Sequence, residues 1–351
     1  GVPADRGTGS PRLSAGLASH RRVFELGARM EDPINLSIGQ PDFPMPQHIV
    51  EAHVEALRDG KTRYELDAGL PALRQAVANF YNGQYGLNLS EGNVLITTGC
   101  CQAMFMALTA AVQPGQEVII LSPYFVEYGY YIDNHQGMAV TVPTNADFQP
   151  NLKAIEAAIT RQTRGIIINS PNNPTGVVYP SASLQQLADL LRRKQTEYGS
   201  QIYLISDEPY RRIIFDNLTY PQVFPHYENT IVVTSHAKDL ALPGERIGYI
   251  AVNPNCPDRQ ELANGLTFCN RTLGFVNAPA LMQHVVQGLQ GVSVDATDYQ
   301  RKRDFLYSQL TELGYSVVKP QGAFYLFPRS PVEDDVAFVD ALQEWNVLTV
   351  P

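Results

Sequence analysis

The feature that most constrains the fold of this chain is a repeated alternation of short apolar runs with helical segments, which begins near Asn93. The runs predicted as strands are residues 94–97, 117–121, 165–169, 201–206, 231–234 and 247–252. Residues 102–112 and 183–193 lie between such runs and carry apolar side chains at helical spacing. Alternation of this kind is typical of a mostly parallel sheet covered by helices. We therefore predict an α/β fold with three layers: helices, sheet and helices.

A second pattern begins near residue 278. Two long helical segments, 278–290 and 296–313, are followed by apolar runs at 315–318 and 323–327 that we interpret as strands. Helices followed by strands, without the earlier alternation, indicate a smaller α+β domain.

We expect three parts in the 351 residues, because this length exceeds that of an ordinary small domain. Residues 1–45 form an N-terminal arm, rich in Gly, Pro, Ser and Arg over residues 1–20, and the start of the small domain. Residues 46–277 form the large domain, and residues 278–351 form a small C-terminal domain that we expect to be incomplete.

Composition narrows the classes of function. The formal net charge of −9 argues against a surface for nucleic acid or anionic membrane, which would need clustered Lys and Arg. No apolar run approaches the roughly 20 residues that span a bilayer, and the N-terminus has no apolar signal segment. Four cysteines, of which Cys100 and Cys101 are adjacent, form neither a disulfide framework nor a spaced zinc site. We expect a cytoplasmic protein with no metal site.

Four polar segments follow predicted strands. They are T-T-G-C-C-Q at 97–102, S-P-N-N-P-T-G at 170–176, S-D-E-P-Y at 206–210 and S-H-A-K-D-L-A-L-P-G-E-R at 235–246. Ligands of open α/β sheets bind beyond the carboxyl ends of the strands, so we expect these segments to meet in one crevice.

Each segment alone has a plain structural alternative. Gly99 opens a helix whose free N–H groups attract phosphate, or it belongs to an ordinary turn. Asp207, at the end of an apolar strand, pairs with a cationic or N–H partner, or it caps a helix. Lys238, just past a strand, is placed to form a Schiff base with a carbonyl, or it is a surface lysine. Asn173 and Tyr210 offer an amide and a phenol to a ligand, or serve a turn and packing.

Taken together, the segments match one cofactor. Pyridoxal 5′-phosphate carries a phosphate, a pyridine nitrogen, a phenolic oxygen and an aldehyde that bonds to lysine. The chain resembles the fold-type I pyridoxal-phosphate enzymes, specifically the class I and II aminotransferases, in the order of three motifs. These motifs are S-P-N-N-P-T-G, S-D-E-P-Y and S-x-x-K, with an arginine eight residues after the lysine. The resemblance extends from about Ile34 to Pro351 and implies that the large domain binds the cofactor.

The resemblance implies a role for each matching residue. Lys238 forms the Schiff base and moves a proton between the substrate Cα and C4′ of the cofactor. Asp207 pairs with the pyridine nitrogen, which makes the ring an electron sink. Tyr210 and Asn173 bond to the phenolic oxygen, and Asn173 is also a substrate-binding residue. Gly39, in I-G-Q-P-D-F, matches the glycine near the substrate carboxylate.

A second set of residues is implied around the phosphate and the ring. The residues that match the phosphate-binding set are Ser235, Arg246 and the backbone of Cys100 and Cys101. The planar fork of Arg246 suits bidentate contact with phosphate oxygens. Phe125, in S-P-Y-F, matches the aromatic residue that stacks on the pyridine ring. Tyr64 matches the tyrosine that reaches the phosphate of the neighbouring subunit, which implies a homodimer with shared sites.

The chain departs from the family pattern in four places. Ala237 stands where a phosphate-binding serine is common, so we expect weaker cofactor binding by about one hydrogen bond, ~1 kcal/mol. His236 replaces a frequent aromatic residue, and we interpret it as a packing residue. Cys101 stands where some aspartate aminotransferases have a lysine, which weakens an aspartate assignment. The sequence stops at Pro351, before the family's carboxylate-binding arginine, and we expect that it has been cut short.

Three functions compete. The first is an aminotransferase that passes nitrogen from an amino acid to a 2-oxo acid with ping-pong kinetics. The second is a lyase or synthase on the same scaffold, since the same lysine and electron sink serve elimination and cyclisation. The third is an inactive or regulatory cofactor-binding protein. Candidates for lining the substrate pocket are Asn270, Arg271 and residues 128–131, although each is equally typical of interface packing.

Overall fold

A computed structural model describes Gly27 and residues 30–351. The arm predicted at residues 1–20 lies outside the described residues. The strands are β1 (Ile34–Asn35), β2 (Val94–Thr97), β3 (Glu117–Ser122), β4 (Met138–Pro143), β5 (Thr163–Asn169), β6 (Tyr203–Asp207), β7 (Thr230–Ser235), β8 (Gly248–Val252) and β9 (Val347–Leu348).

Helices separate most of these strands. They span Gln47–Arg58, Pro71–Tyr85, Gly99–Ala111, Glu127–Asn134, Leu152–Ala158, Ser181–Tyr198, His236–Asp239, Arg259–Thr272, Ala280–Gln287, Ala296–Glu312 and Asp335–Gln343. Local chemistry sets several of their ends. Gly199 ends the helix Ser181–Tyr198 with a left-handed φ of 66°, which glycine adopts without a steric cost. The carboxylate of Asp295 accepts a hydrogen bond from the backbone N–H of Thr297 at 2.9 Å and so caps the helix Ala296–Glu312.

The central sheet has seven strands in the order β2-β8-β7-β6-β5-β3-β4. Strand β8 is antiparallel to both of its neighbours, and the other pairs are parallel. The carboxyl ends of the parallel strands therefore share one edge of the sheet.

Successive strand side chains alternate between two hydrophobic cores, as the pleat of a strand requires. In β5, Ile166 and Ile168 belong to one core, and Ile167 belongs to the other. The first core is closed by helices that include Ser181–Tyr198, and the second by helices that include Gly99–Ala111. The predicted three-layer α/β/α arrangement is confirmed.

All six strands predicted for the sheet are present, with ends shifted by no more than two residues. Two other features were not predicted correctly. The edge strand β4 was missed, and the strands predicted at 315–318 and 323–327 are wrong. In the first segment only Val317 forms an isolated bridge, with Pro328, and residues 323–327 form none, although the adjacent Gly322 forms one with Ile214.

Two further features lie outside the central sheet. Strands β1 and β9 pair in parallel as a separate two-stranded sheet. A third hydrophobic cluster brings together Tyr210, Ile213, Phe215, Tyr299 and Ala323, with Phe43, Val294, Phe324 and Tyr325 packed against it. The domain boundaries near residues 46 and 277 stay predictions. Helix Ala280–Gln287, just past the second boundary, buries Met282 and Val286 in the first core of the large sheet.

Candidate active site

The strand register brings the predicted segments together. Asn169, the last residue of β5, pairs with Asp207, the last residue of β6, and Asp207 pairs with Val233 of β7. Gly248, the first residue of β8, pairs with Ser235 on one side and Thr97 on the other. The four polar segments therefore begin along a continuous edge of the sheet, as the sequence predicts.

Asp207 lies at this edge with 7% of its surface exposed. Its carboxylate accepts hydrogen bonds from the Cys100 thiol, at 3.0 Å, and from the Tyr128 hydroxyl. Burial raises the pKa of Asp207 to about 6, against the lowering effect of these two hydrogen bonds. Among the described residues, no cationic side chain forms an ion pair with this carboxylate. The site therefore holds a buried acid that lacks a cationic partner.

Lys238 lies on the single helical turn His236–Asp239 that follows β7. Its side chain extends toward the same edge, where Nζ donates a hydrogen bond to the backbone oxygen of Gly39. Nζ also lies 5.4 Å from the ring centre of Phe324 and 5.9 Å from that of Tyr210. Burial lowers the pKa of Lys238 to about 8, and the positive charge of Arg246 adds to this effect. A substantial fraction of this amine is thus neutral near pH 8.

Tyr210 is buried beside Lys238. Its hydroxyl oxygen lies 2.5 Å from that of Tyr325, and the two rings meet edge to face. Burial raises the pKa of Tyr210 well above its ordinary value and that of Tyr325 to about 12. Both phenols are therefore protonated hydrogen-bond donors at neutral pH.

The helix Gly99–Ala111 begins beside Arg246. The residue before it, Thr98, makes no side-chain cap, so the first N–H groups of this helix are open to an anion. The Arg246 guanidinium lies against Gly99, where a Cβ atom would be 2.7 Å from Nη2. Gly248 also packs closely against Gly99, because a Cβ atom on Gly248 would lie only 3.1 Å from Gly99 Cα. A positive side chain and a helix N-terminus thus converge on one point.

The remaining phosphate-site predictions fall around this point. Ser235 ends β7 and is buried, and Ala237 is buried on the following turn. Cys100 is half-buried with its thiol on Asp207, whereas Cys101 is exposed. These placements are compatible with backbone contact by the two cysteines at the helix N-terminus.

Asn173 and Phe125 flank the site. The backbone N–H of Asn173 donates to the side chain of Asn169 at 2.6 Å, and Asn169 donates to the backbone oxygen of Asp207 at 2.9 Å. The S-P-N-N-P-T-G loop is therefore tied to the strand that carries Asp207. Phe125 is half-buried, with its ring centre 5.6 Å from that of Tyr128.

Tyr64 is separate from the other predicted residues. It is 88% exposed and lies in a surface groove with Arg63, Phe275 and Val276. Among the described residues that line this groove, none is another predicted site residue. Within one chain, the structure therefore does not bring Tyr64 to Lys238.

Several other side chains have definite partners. His236 is buried and faces Asp239 at 3.3 Å, so it is part of the packed support of the Lys238 turn. Asn270 is buried and accepts a hydrogen bond from Gln102 at 2.8 Å. Arg271 forms an exposed ion pair with Asp67 at 3.3 Å.

Sequence reasoning missed three contributors to the site. Tyr128 was treated only as a pocket-lining candidate, although it donates to Asp207. Tyr325 belongs to a run interpreted only as a strand, and its contact with Tyr210 spans 115 positions of the sequence. Gly248 gave no signal, because its role depends on its distance from Gly99.

The described part of the chain shows two absences. None of its helices has the length and apolar character needed to cross a membrane. Within the same residues, no group of three or more His, Cys, Asp and Glu side chains is arranged to hold a metal ion.

Comparison with known proteins decides the family. A family model described as aminotransferase class I and II matches residues 31–351. The chain belongs to the class I and II aminotransferase family. The predicted family, the α/β fold and the transaminase function are thereby confirmed, and the family is one of pyridoxal-phosphate enzymes. No finding favours the lyase or the inactive protein.

Relatives of this aminotransferase extend over nearly its whole length. It is 34% identical over 348 residues to a probable aspartate/prephenate aminotransferase of Thermus aquaticus, covering 97% of this chain and 89% of that protein. It is 33% identical over 338 residues to a probable aspartate aminotransferase of Methanocaldococcus jannaschii, covering 94% and 87%. A solved aminotransferase structure from Eubacterium rectale superposes with a TM-score of 0.92 at 36% identity, covering 96% of this chain and 88% of that one.

Proposed function

We propose that this aminotransferase binds pyridoxal 5′-phosphate at the carboxyl edge of its sheet, through Lys238 and Asp207, and transfers an amino group from an amino acid to a 2-oxo acid. The observation that carries the proposal is the pair of oppositely perturbed groups at this edge. Asp207 is a buried acid without a cationic partner among the described residues, and Lys238 is a buried amine with a lowered pKa. A protonated pyridine nitrogen and an aldehyde are the chemical complements of these two groups.

The anion site fits the third part of the same cofactor. Arg246 and the uncapped start of helix Gly99–Ala111 offer a charged fork and free N–H groups to a phosphate. Ser235 adds a hydroxyl from the end of β7, and Cys100 and Cys101 add backbone N–H groups. All three chemical features of the cofactor therefore have candidate partners along one edge.

Each residue of the proposed site has its own role in the reaction. When bound, the cofactor supplies an aldehyde that accepts the amino group and a ring that delocalises electrons. Lys238 Nζ would hold the aldehyde carbon of the cofactor, and the same amine would move the proton at the substrate Cα. Asp207 would hold the protonated ring nitrogen as its counter-charge, while Tyr210 and Asn173 would donate hydrogen bonds to the phenolic oxygen.

Two further residues orient the reactants. Phe125 would pack on one face of the ring and restrict its rotation. Gly39 places its backbone beside the substrate carboxylate, close to the Lys238 amine that its carbonyl oxygen contacts.

The exposed position of Tyr64 supports a homodimer, in which this phenol reaches the phosphate bound by the neighbouring subunit. Mixing a Tyr64→Phe variant with a Lys238→Ala variant tests the arrangement. If the sites are shared, hybrid dimers contain one site in which Lys238 and Tyr64 are both intact, and that site regains wild-type cofactor affinity. Failure of the mixture to regain it contradicts shared sites. A cytoplasmic location also stays a proposal.

The reaction is tested with holoenzyme and one amino acid at a time, without a 2-oxo acid. A transaminase converts at most one equivalent of amino acid per site, with a change in the visible absorbance, and a 2-oxo acid then restores the spectrum. Continued release of ammonia without any 2-oxo acid would instead identify a lyase. No spectral change with any amino acid would contradict the proposed function.

A further inference from the structure

We propose that Tyr325 is a positioning residue for Tyr210, because its hydroxyl group donates a hydrogen bond that directs the Tyr210 hydroxyl hydrogen into the cofactor site. The inference rests on the proposed function of Tyr210. It concerns a residue from a distant part of the chain, which reaches the site only in the folded protein.

The geometry holds the two phenols together. Their hydroxyl oxygens are 2.5 Å apart, and their ring centres are 5.5 Å apart at an angle of 83°. Phe324 packs against both rings, 5.4 Å from that of Tyr210 and 5.1 Å from that of Tyr325. Both tyrosines are thus confined by aromatic neighbours, and the contact between their hydroxyl groups is fixed.

Gly39 packs directly against the Tyr325 ring. A Cβ atom at this position would overlap the Tyr325 hydroxyl oxygen and would lie 3.1 Å from its Cε1 atom. The backbone oxygen of Gly39 is occupied by Lys238 Nζ. Tyr325 therefore touches both Tyr210 and the segment that contacts Lys238.

Counting hydrogens sets the direction of the hydrogen bond. Each phenol has one hydrogen, and only one of the two lies between the oxygens. Among the described residues, Tyr210 is the only hydrogen-bond partner of the Tyr325 hydroxyl. When an acceptor oxygen occupies the site next to Tyr210, both hydrogens are satisfied only if Tyr325 donates to Tyr210 and Tyr210 donates to the acceptor.

This chain of donors has a measurable effect. A phenol that accepts a hydrogen bond becomes a stronger donor, because consecutive hydrogen bonds polarise one another. In the proposed function, the Tyr210 hydroxyl stabilises negative charge on the phenolic oxygen of the cofactor. If Tyr210 becomes a weaker donor, more negative charge stays on that oxygen. The Lys238 nitrogen beside it then holds its proton to a higher pH. The titratable groups that face Tyr210 are Asp207, Cys100, Lys238 and Tyr325.

The test measures the pH midpoint of the visible absorbance change of holoenzyme in four variants: Tyr325→Phe, Tyr210→Phe, the double variant and Tyr299→Phe. Tyr325→Phe keeps the ring against Phe324 and removes only the donor. Tyr299 is the matched control, since its ring lies 5.2 Å from that of Phe324 and its hydroxyl is buried without a hydrogen-bond partner among the described residues.

We expect Tyr325→Phe to raise the midpoint by about 0.4 to 1 pH unit, the equivalent of one ordinary hydrogen bond, and to lower kcat more than it changes KM. In the Tyr210→Phe background, the same substitution should add nothing, because Tyr325 acts through Tyr210. Tyr299→Phe should leave the midpoint unchanged.

Three results would overturn the inference: an unshifted midpoint in Tyr325→Phe, an equal shift in Tyr299→Phe, or a shift that persists in the double variant. The proposed function is tested separately by the single variant Tyr210→Phe, because it requires this substitution to raise the midpoint. If Tyr210→Phe shifts the midpoint and Tyr325→Phe does not, only the role of Tyr325 is rejected.

Discussion

Gly99 and Arg246 are packed so closely that a Cβ atom on Gly99 would lie 2.7 Å from Nη2 of the arginine. Gly99 also has a φ of 83°, which L-residues rarely adopt. Gly99→Ala should therefore displace Arg246 and weaken cofactor binding by about tenfold or more, the loss of one charge-assisted contact. Fluorescence titration of cofactor-free protein with pyridoxal phosphate measures this effect.

Gly115 provides the matched control for this substitution. Its φ of 80° is nearly the same, but a Cβ atom there meets nothing within 4 Å. Gly115→Ala should lose a similar amount of stability from backbone strain and keep the wild-type affinity. Equal losses of affinity in both variants would contradict the role of the Gly99–Arg246 contact.

The lowered pKa of Lys238 predicts its reactivity in the cofactor-free protein. The neutral amine is the nucleophile, so the rate of acylation should rise with pH and level off above about 8, the pKa of this amine. An ordinary lysine continues to gain reactivity up to about pH 10.4. Competitive labelling with acetic anhydride, followed by peptide mapping, compares Lys238 with the other lysines. Reactivity that rises in parallel for all lysines would contradict a desolvated Lys238.

The raised pKa of Asp207 predicts how stability depends on pH. Since its pKa is about 6 in the folded chain and 3.8 ordinarily, the folded state binds more protons between these values. The contribution of Asp207 is therefore present at low pH and is lost as pH rises through this window. Asp207→Asn should match wild type near pH 4 and exceed it by about 1–3 kcal/mol at pH 7, without cofactor.

Urea unfolding of the two cofactor-free proteins at both pH values measures the difference. Glu208, whose pKa burial raises to about 7, is present in both proteins, so its contribution differs between them only by the smaller effect of the Asp207 charge, which raises the same pKa. The same Asp207→Asn variant should bind the cofactor more weakly, because it lacks the charge that faces the ring nitrogen. A stability difference that does not change with pH would show that Asp207 does not titrate in this window.

Asp239 anchors the turn that carries Lys238. Its buried carboxylate faces His236 at 3.3 Å and Arg212 at 3.8 Å, and its backbone oxygen accepts from Val294 at 2.7 Å. Asp239→Ala leaves the charge of Arg212 without its partner, which typically costs about 3 kcal/mol or more.

Asp189 is the control for this stability prediction. It is exposed and pairs with Arg192 at 3.3 Å, so Asp189→Ala should cost less than about 1 kcal/mol. Chemical denaturation compares the two variants. Losses of similar size would contradict the importance of burial at Asp239.

The sequence predicted the sheet well because its central strands are buried on both faces. Continuous apolar runs such as Ile166–Ile167–Ile168 have few alternatives in a chain that alternates with helices. Strand β4 was missed because it lies at the sheet edge, where Met138 is 56% exposed and the apolar pattern is weak. Residues 323–327 resemble a strand in composition, but they form no ladder, and Ala323, Phe324 and Tyr325 pack in one cluster with Tyr210 and Tyr299.

The positions of candidate site residues that lie in motifs were predictable, and those of residues placed by distant contacts were not. Asp207 and Lys238 each directly follow a recognisable strand, so topology alone brings them to one edge. Tyr325 contacts Tyr210 although 115 positions separate them in the sequence. Gly248 contributes to the site only because it packs closely against Gly99. Such contacts depend on three-dimensional packing, which local patterns do not encode.

The most direct test of the central proposal is borohydride reduction of the holoenzyme, followed by mass spectrometry of its peptides. We predict that the reduced cofactor is attached to Lys238, and that Lys238→Ala shows neither the adduct nor transamination. Attachment to another lysine in the active wild-type enzyme, or full turnover by Lys238→Ala, would contradict it.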